Sequence, residues 1–178
     1  MTSPSVTGTS ATGSSTTGSS TTGSSTTGSS TTGSSTTGSS TTGPSTTGPS
    51  TTGEVPRGDL ENRLGLTVAE AGPRRVVGSL PVAGNTQPFG VLHGGASCVL
   101  AETLASVGAC LHFAADGGTA VGTEINATHH RPATAGLVRG VATAVHLGRG
   151  HATYEVVITD ERGKRVCTAR MTCVRVPA

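Results

Sequence analysis

The sequence predicts an α+β domain in which an antiparallel sheet curls around one long helix, preceded by a tail that lacks a core. Three observations carry this. From Leu64 onward the apolar residues recur mostly with a period of two, the mark of half-buried strands. That period breaks once, over His93–Ala115, where Leu100, Leu104, Val107 and Leu111 recur at helical spacing. Residues 1–53 contain no Lys, Arg, Asp, Glu, His, Cys, Phe, Tyr or Leu.

The tail is a five-residue repeat, TTGSS and then TTGPS, with glycine recurring from Gly8 to Gly53. It has almost nothing apolar to bury, so it cannot offset the entropy of ordering. We read 1–53 as a disordered Thr/Ser/Gly tail and 54–178 as the domain. A passive extension, an O-glycosylated stalk and a translation start nearer Val55 are the competing meanings of the tail. It carries no basic segment followed by an apolar one, so no signal peptide is expected.

Within the domain the elements follow in order. Leu64–Glu70 and Arg74–Val82 read as strands around the turn Ala71-Gly72-Pro73. Asn85–Gly90 is a loop. His93–Ala115 reads as one helix of about 35 Å, stopped by Asp116-Gly117-Gly118. Thr119–His130, Leu137–Leu147, Ala152–Thr159 and Val166–Val176 alternate as strands, the last two joined by the hairpin turn Asp160-Glu161-Arg162-Gly163. The order β-β-α-β-β-β-β places helix and sheet in separate layers.

Charge and composition exclude several classes. A net charge of +2 is too small for a dedicated nucleic-acid binder. No uninterrupted apolar run approaches the ~18 residues of a membrane span. With only Phe89, Phe113 and Tyr154 as aromatics, the core must rely on aliphatic side chains and on burial against a partner subunit. Cys98 and Cys110 stand about 18 Å apart on the helix, and Cys167 and Cys173 about 20 Å apart on one strand, too far for either local pair to bridge. Pairings between helix and strand stay open, but buried free thiols are the plainer reading and point to a reducing compartment and a cytoplasmic location. There is no CxxC or HxxxH, so no metal site is expected from the spacing.

Glu102 is the most informative residue. Its helical stripe is Gly95, Cys98, Ser106 and Ala109, all small, where a solvated face usually carries several charges. It is either a glutamate reaching water at a subunit edge or a working carboxylate. His93-Gly94-Gly95 opens the same helix. The first helical N–H groups have no internal partner, and glycine lets an oxygen approach them. A Gly94 or Gly95 amide is thus a candidate oxyanion donor, and a flexible helix start is the plainer reading. His93 and Glu102 are about 13 Å apart along the axis. A carbonyl polarised at the helix start and a carboxylate further along is a layout for acyl transfer. Gln87, Thr103 and Ser106 are placed to orient substrate or water. His129, His130, Arg131, His146, Arg149 and His151 fall at strand ends, where Arg and adjacent amides suit phosphates.

Gln87-Pro88-Phe89-Gly90-Val91-Leu92-His93-Gly94-Gly95-Ala96-Ser97, followed by Leu100-Ala101-Glu102-Thr103, resembles the hotdog-fold acyl-CoA thioesterases. It is most similar to the subgroup acting on 1,4-dihydroxy-2-naphthoyl-CoA and related aryl-CoA esters, which includes enterobactin proofreading thioesterases. The likeness continues through Gly122–Ala127, His129, Arg131, Val138-Arg139-Gly140, His146-Leu147-Gly148 and His151, covers 64–176 and leaves out the tail. The resemblance implies a hotdog fold and a homotetramer built from two dimers, with sites at the dimer interface and no metal or redox cofactor. It implies Glu102 as catalytic carboxylate, the Gly94 amide as oxyanion donor, Gln87 and His93 near the thioester oxygen, and Ser106 near the attacking water. Gly122, the segment His129, His130, Arg131 and Pro132, and the turn His146, Leu147, Gly148, Arg149, Gly150 and His151 fall where relatives hold coenzyme A. Thr103 stands where relatives often carry Ser, which narrows the acyl site. Arg149-Gly150 stands where they often carry Ser-Arg, and Pro132 has no N–H to offer a phosphate.

The function expected is hydrolysis of an aryl- or acyl-CoA ester, with 1,4-dihydroxy-2-naphthoyl-CoA of menaquinone biosynthesis as favoured substrate. Hydroxybenzoyl- or phenylacetyl-type esters and carrier-bound aryl groups are the alternatives. A hydratase of the same fold is disfavoured by His93-Gly94-Gly95 with Glu102. A non-catalytic CoA-ligand sensor is disfavoured by the uncharged tail, which supplies no DNA-binding segment.

Overall fold

The computed structural model describes residues 57–178; the tail reading for 1–53 lies outside the described residues. The chain runs α1 (Asp59–Leu64), β1 (Thr67–Ala71), β2 (Arg75–Pro81), α2 (Gly94–Ala114), β3 (Gly118–His129), β4 (Leu137–Leu147), β5 (His151–Asp160) and β6 (Arg165–Pro177). The six strands form one antiparallel sheet in the order β1-β2-β4-β5-β6-β3, and α2 packs on one face of it. This is the hotdog architecture expected from the sequence. The helix and the four later strands fall within a residue or two of their expected limits.

One element departs from expectation. Leu64 ends a six-residue helix, α1, and the first strand starts only at Thr67. A helix this short gives no readable 3.6 period. It is closed by Gly65 in the left-handed region, φ 69°, a conformation that suits glycine.

The contact between α2 and the sheet is set by glycines. Gly78 on β2 and Gly140 on β4 face each other in register. A Cβ on Gly78 would stand 2.8 Å from Leu104 Cδ2, and one on Gly140 2.7 Å from Leu104 Cδ1. The paired glycines thus form a slot that receives Leu104. One turn later the roles reverse. Gly108 on the helix yields to Tyr154 of β5, whose ring would meet a Gly108 Cβ at 2.8 Å. The Tyr154 hydroxyl donates to the Pro73 carbonyl at 2.7 Å, so this buried ring carries no unpaired polar atom. The buried stripe of α2 runs through Leu100, Leu104, Gly108 and Phe113, with Val107 and Leu111 only half-buried. Of the expected stripe Leu100-Leu104-Val107-Leu111, Leu100 and Leu104 are buried and Val107 packs partly against the core, while Leu111 falls outside it and Gly108 makes room for a ring that a count of large apolar side chains overlooks. By length and composition α2 could also cross a membrane, but here it is the core helix of the sheet.

Candidate active site

The start of α2 is held from three sides. The His93 N–H donates to Asn85 O at 2.8 Å, and the Leu92 N–H to Ala133 O at 2.8 Å. Asn85 is buried, and its Nδ2 donates to both Leu64 O and Pro81 O at 2.8 Å. The loop between β2 and α2 is therefore pinned to the body of the domain. Inside it, Gln87 N–H donates to Val91 O and Gly90 N–H to Gln87 O. Gly90 takes φ 75° to close this turn. Gln87 is half-buried, while Phe89 at the tip is 87% exposed.

His93 is the N-cap. Its Nδ1 accepts the Gly95 N–H at 2.9 Å, which places the proton of the neutral ring on Nε2. Its carbonyl takes the N–H groups of Ala96 and Ser97. The Gly94 N–H has no acceptor among the described residues. Of the two amides that the sequence offered, the Gly95 amide is occupied and the Gly94 amide is free. The His129 ring of β3 lies against Gly94, so that a Cβ there would stand 2.9 Å from its Nε2.

Two turns further along, Glu102 is exposed on the single chain, with Cys98 and Ser106 half-buried on either side. Both readings that the sequence left open, a glutamate reaching water at a subunit edge and a working carboxylate, are compatible with this exposure. The small residues around it keep the outer face of α2 low, and nothing among the described residues covers it. The Glu102 charge reaches two thiols. Burial, and then the Glu102 carboxylate, raise the Cys98 thiol above its ordinary value. Cys173 of β6 is pushed up to about 11 by burial first, then by Cys110 and Glu102, with the Ser106 hydroxyl acting the other way. Glu102, Ser106 and Cys173 thus share one neighbourhood. Gly122 is the register partner of Cys173, beside a bulge between Gly122 and Glu124, with the Met171 methyl where a Gly122 side chain would be. Thr103 turns aside: its hydroxyl donates to Glu61 Oε1 of α1 at 3.2 Å.

The residues expected to hold coenzyme A separate into distant groups. His129 is at the start of α2. His130, its neighbour, points to the opposite face of the sheet, where Nε2 meets Thr168 Oγ1 at 2.9 Å in a hollow of about 510 Å³ shared with Glu155, Arg165 and Arg170. Arg131 and Pro132 are exposed, and the Arg131 N–H donates to Val166 O. The turn His146–His151 lies at the other end of α2, roughly 27 Å away by helical rise. There His112 Nε2 bonds Gly148 O at 2.9 Å, and Gly148 N–H donates to His151 O at 2.8 Å. A Gly148 Cβ would stand 2.6 Å from His146 Nε2. His146, Arg149, Gly150 and His151 are exposed, and Leu147 is half-buried.

Asn85, His112 and Cys173 were not singled out from the sequence as residues of the site. Each acts through a partner distant in the chain, and no local spacing marks it. Among the described residues no group of three or more His, Cys, Asp or Glu converges as metal ligands, and the one ion pair joins Arg75 to Glu70, away from this site.

Comparison with known proteins bears on the family and the fold. The family model described as Thioesterase superfamily matches residues 89–167. The proofreading thioesterase EntH of Cronobacter turicensis is 48% identical over 115 residues, which are 64% of this chain and 83% of the relative. The Cronobacter sakazakii protein of the same name is 47% identical over the same shares. Among solved structures, a thioesterase of Haemophilus influenzae is similar with a TM-score of 0.63 and 37% identity, covering 66% of this chain and 82% of that one. A mutant thioesterase of Pseudomonas aeruginosa gives a TM-score of 0.64 and 38% identity, over 67% and 86%. With its fold, helix start and carboxylate-bearing helix in place, this chain belongs to the hotdog thioesterases of the thioesterase superfamily, enzymes that hydrolyse thioesters.

Proposed function

We propose that the protein hydrolyses aromatic acyl thioesters of coenzyme A, with 1,4-dihydroxy-2-naphthoyl-CoA of menaquinone biosynthesis as the leading substrate, at a site closed between two copies of the chain. The observation that carries the mechanism is the free Gly94 N–H at the positive end of α2. A thioester carbonyl placed there meets an unpaired donor aimed at its developing negative charge. Gln87 and the Nε2–H of His93 flank that oxygen. Glu102 either attacks the carbonyl carbon, giving a mixed anhydride that water then cleaves to the free acid, or takes a proton from a water that Ser106 holds and that attacks the carbon instead. The sulfur leaves as the thiol.

Gly94 and Glu102 stand about 12 Å apart along one helix, which only a fully stretched chain of contacts spans. Glu102 is also exposed beside half-buried Cys98, Val99, Val107 and Leu111. The twelve-residue strand β3 has a free edge, an open template for pairing. A second copy laid along β3 covers this face and brings its own Glu102 to the first copy's Gly94. A homodimer, doubled to a tetramer, follows from this reading. The free thiols of all four cysteines support a reducing, cytoplasmic setting. The domain boundary near residue 54 belongs to the same proposal.

A second reading is favoured by the proofreading thioesterases at 48% and 47% identity: release of aryl groups from a carrier protein. The deciding experiment ranks kcat/KM for dihydroxynaphthoyl-, 4-hydroxybenzoyl-, phenylacetyl- and octanoyl-CoA, and for hydroxybenzoyl groups on a carrier protein. At least a tenfold preference for the naphthoyl ester is expected. Preference for the carrier-bound ester selects the second reading, and preference for octanoyl-CoA overturns both.

A further inference from the structure

We infer that Arg175, which no motif marks, acts with Arg149 as a clamp for the phosphates of the coenzyme A portion; this rests on the CoA-ester reading above. A cleft of about 330 Å³ lies where the β4–β5 turn meets the end of β6, lined by Gly117, Arg149, Gly150, Arg175, Val176 and Pro177. It contains two guanidinium groups and no carboxylate. The hollow on the far face of the sheet, by contrast, includes Glu155 among its basic residues and lies on the side away from α2.

The cleft is fixed in place by its own hydrogen bonds. Arg175 Nη2 donates to the Asp116 carbonyl at 2.7 Å, which holds the guanidinium. Its backbone N–H donates to Gly150 O at 3.0 Å, joining β6 to the turn. His112 Nε2 bonds Gly148 O and joins the same turn to α2. The C-terminal end of α2 brings roughly half a negative charge to this region, so one cation alone would hold an anion poorly. Two guanidiniums outweigh it and offer forked donors that match phosphate oxygens.

The distance fits the ligand. Arg175 is on the same sheet face as Cys173, two residues further along β6, and Cys173 is the thiol that senses Glu102. Asp116, which holds Arg175, is fourteen residues beyond Glu102, about 20 Å along the helix axis. An extended pantetheine arm spans roughly 16 Å from sulfur to phosphorus by ordinary bond lengths. Adding the ~3 Å between a carboxylate and the carbon it attacks gives the same span.

The test compares one aryl group on coenzyme A, on pantetheine, which carries no phosphate, and on a carrier protein. For Arg175→Ala, the ratio of kcat/KM for the CoA ester to that for the pantetheine ester is expected to fall about tenfold, through KM, as it does for Arg149→Ala. Arg175→Lys should recover much of the loss. A ratio within twofold of wild type, or a loss carried by kcat alone, overturns the clamp. A loss confined to the carrier-bound ester overturns coenzyme A as its occupant. Calorimetric titration with 3′-phosphoadenosine 5′-diphosphate separates this from failure of the functional reading, because it needs no turnover. Binding weakened about tenfold in Arg175→Ala supports the clamp even in a protein that hydrolyses no aryl ester, and equal binding overturns it. Matching melting temperatures of the variants exclude a folding defect as the cause.

Discussion

The His129 imidazole lies so close to Gly94 that a methyl group on Gly94 would stand 2.9 Å from Nε2. The glycine therefore serves two needs at once: it leaves its amide open and it leaves room for a ring from β3. Gly94→Ala should displace the tip of that ring, which swings easily, so stability should stay within ~1 kcal/mol because alanine itself favours helix. Turnover should fall at least tenfold as the open amide is crowded. Steady-state kinetics beside a urea titration reads both, and a variant as active as wild type would remove Gly94 from the oxyanion site.

Glu102→Gln separates chemistry from folding. Glutamine keeps the shape and hydrogen-bonding capacity of the side chain whether this face is open or covered by a second copy, so the melting temperature should barely move. The kcat/KM should fall at least a hundredfold, about 2.7 kcal/mol of transition-state stabilisation. Near-normal turnover in that variant would end the proposed mechanism.

Asn85→Ala tests the support behind the helix start. It removes two hydrogen bonds and leaves the carbonyls of Leu64 and Pro81 without that donor. A loss of roughly 2–3 kcal/mol in denaturant unfolding is expected. Turnover should fall as well, since the Asn85 backbone holds His93. Unchanged stability would show that water replaces the amide.

Alkaline pH should weaken the fold in a defined window. Burial, then the neighbouring Cys98, push Cys167 up to about 11, and burial first pushes Cys173 up to about 11, both from an ordinary 9.0. The Tyr154 hydroxyl is raised as well, mainly by burial. Below pH 9 both folded and unfolded thiols keep their protons and stability is full. Between pH 9 and 11 the unfolded thiols ionise first and the folded state loses ground. Urea midpoints at pH 8, 9, 10 and 11 should fall across that window, and less steeply in a Cys167→Ala, Cys173→Ala variant. Parallel curves would show that the thiols do not carry the effect.

The sequence reveals the fold because Leu100 and Leu104 stand out against strands of strict alternation, and because Asp160 and Gly163 punctuate the last hairpin. It conceals α1, whose six residues are too few for a period. It also conceals the Leu104 slot, since Gly78 and Gly140 are 62 residues apart and meet only through strand pairing. For the site, His93-Gly94-Gly95 and Glu102 are legible as a helix start and a carboxylate among small residues. Which amide stays open is not, because that depends on where the His93 ring turns. The opposite fates of His129 and His130 follow from the pleat, which sends adjacent side chains to opposite faces.

Leu104 is seated between two glycines, where a Cβ would stand 2.8 Å or 2.7 Å from its methyls and, at Gly78, would also meet the Thr67 carbonyl oxygen, and Glu102 is two positions before it on the same helix. The keel that stops the helix from sliding thus also sets where the reacting oxygen stands. Remodelling at Gly78 or Gly140, out of reach of any substrate, would be felt first as misaligned chemistry and only afterwards as a weaker protein.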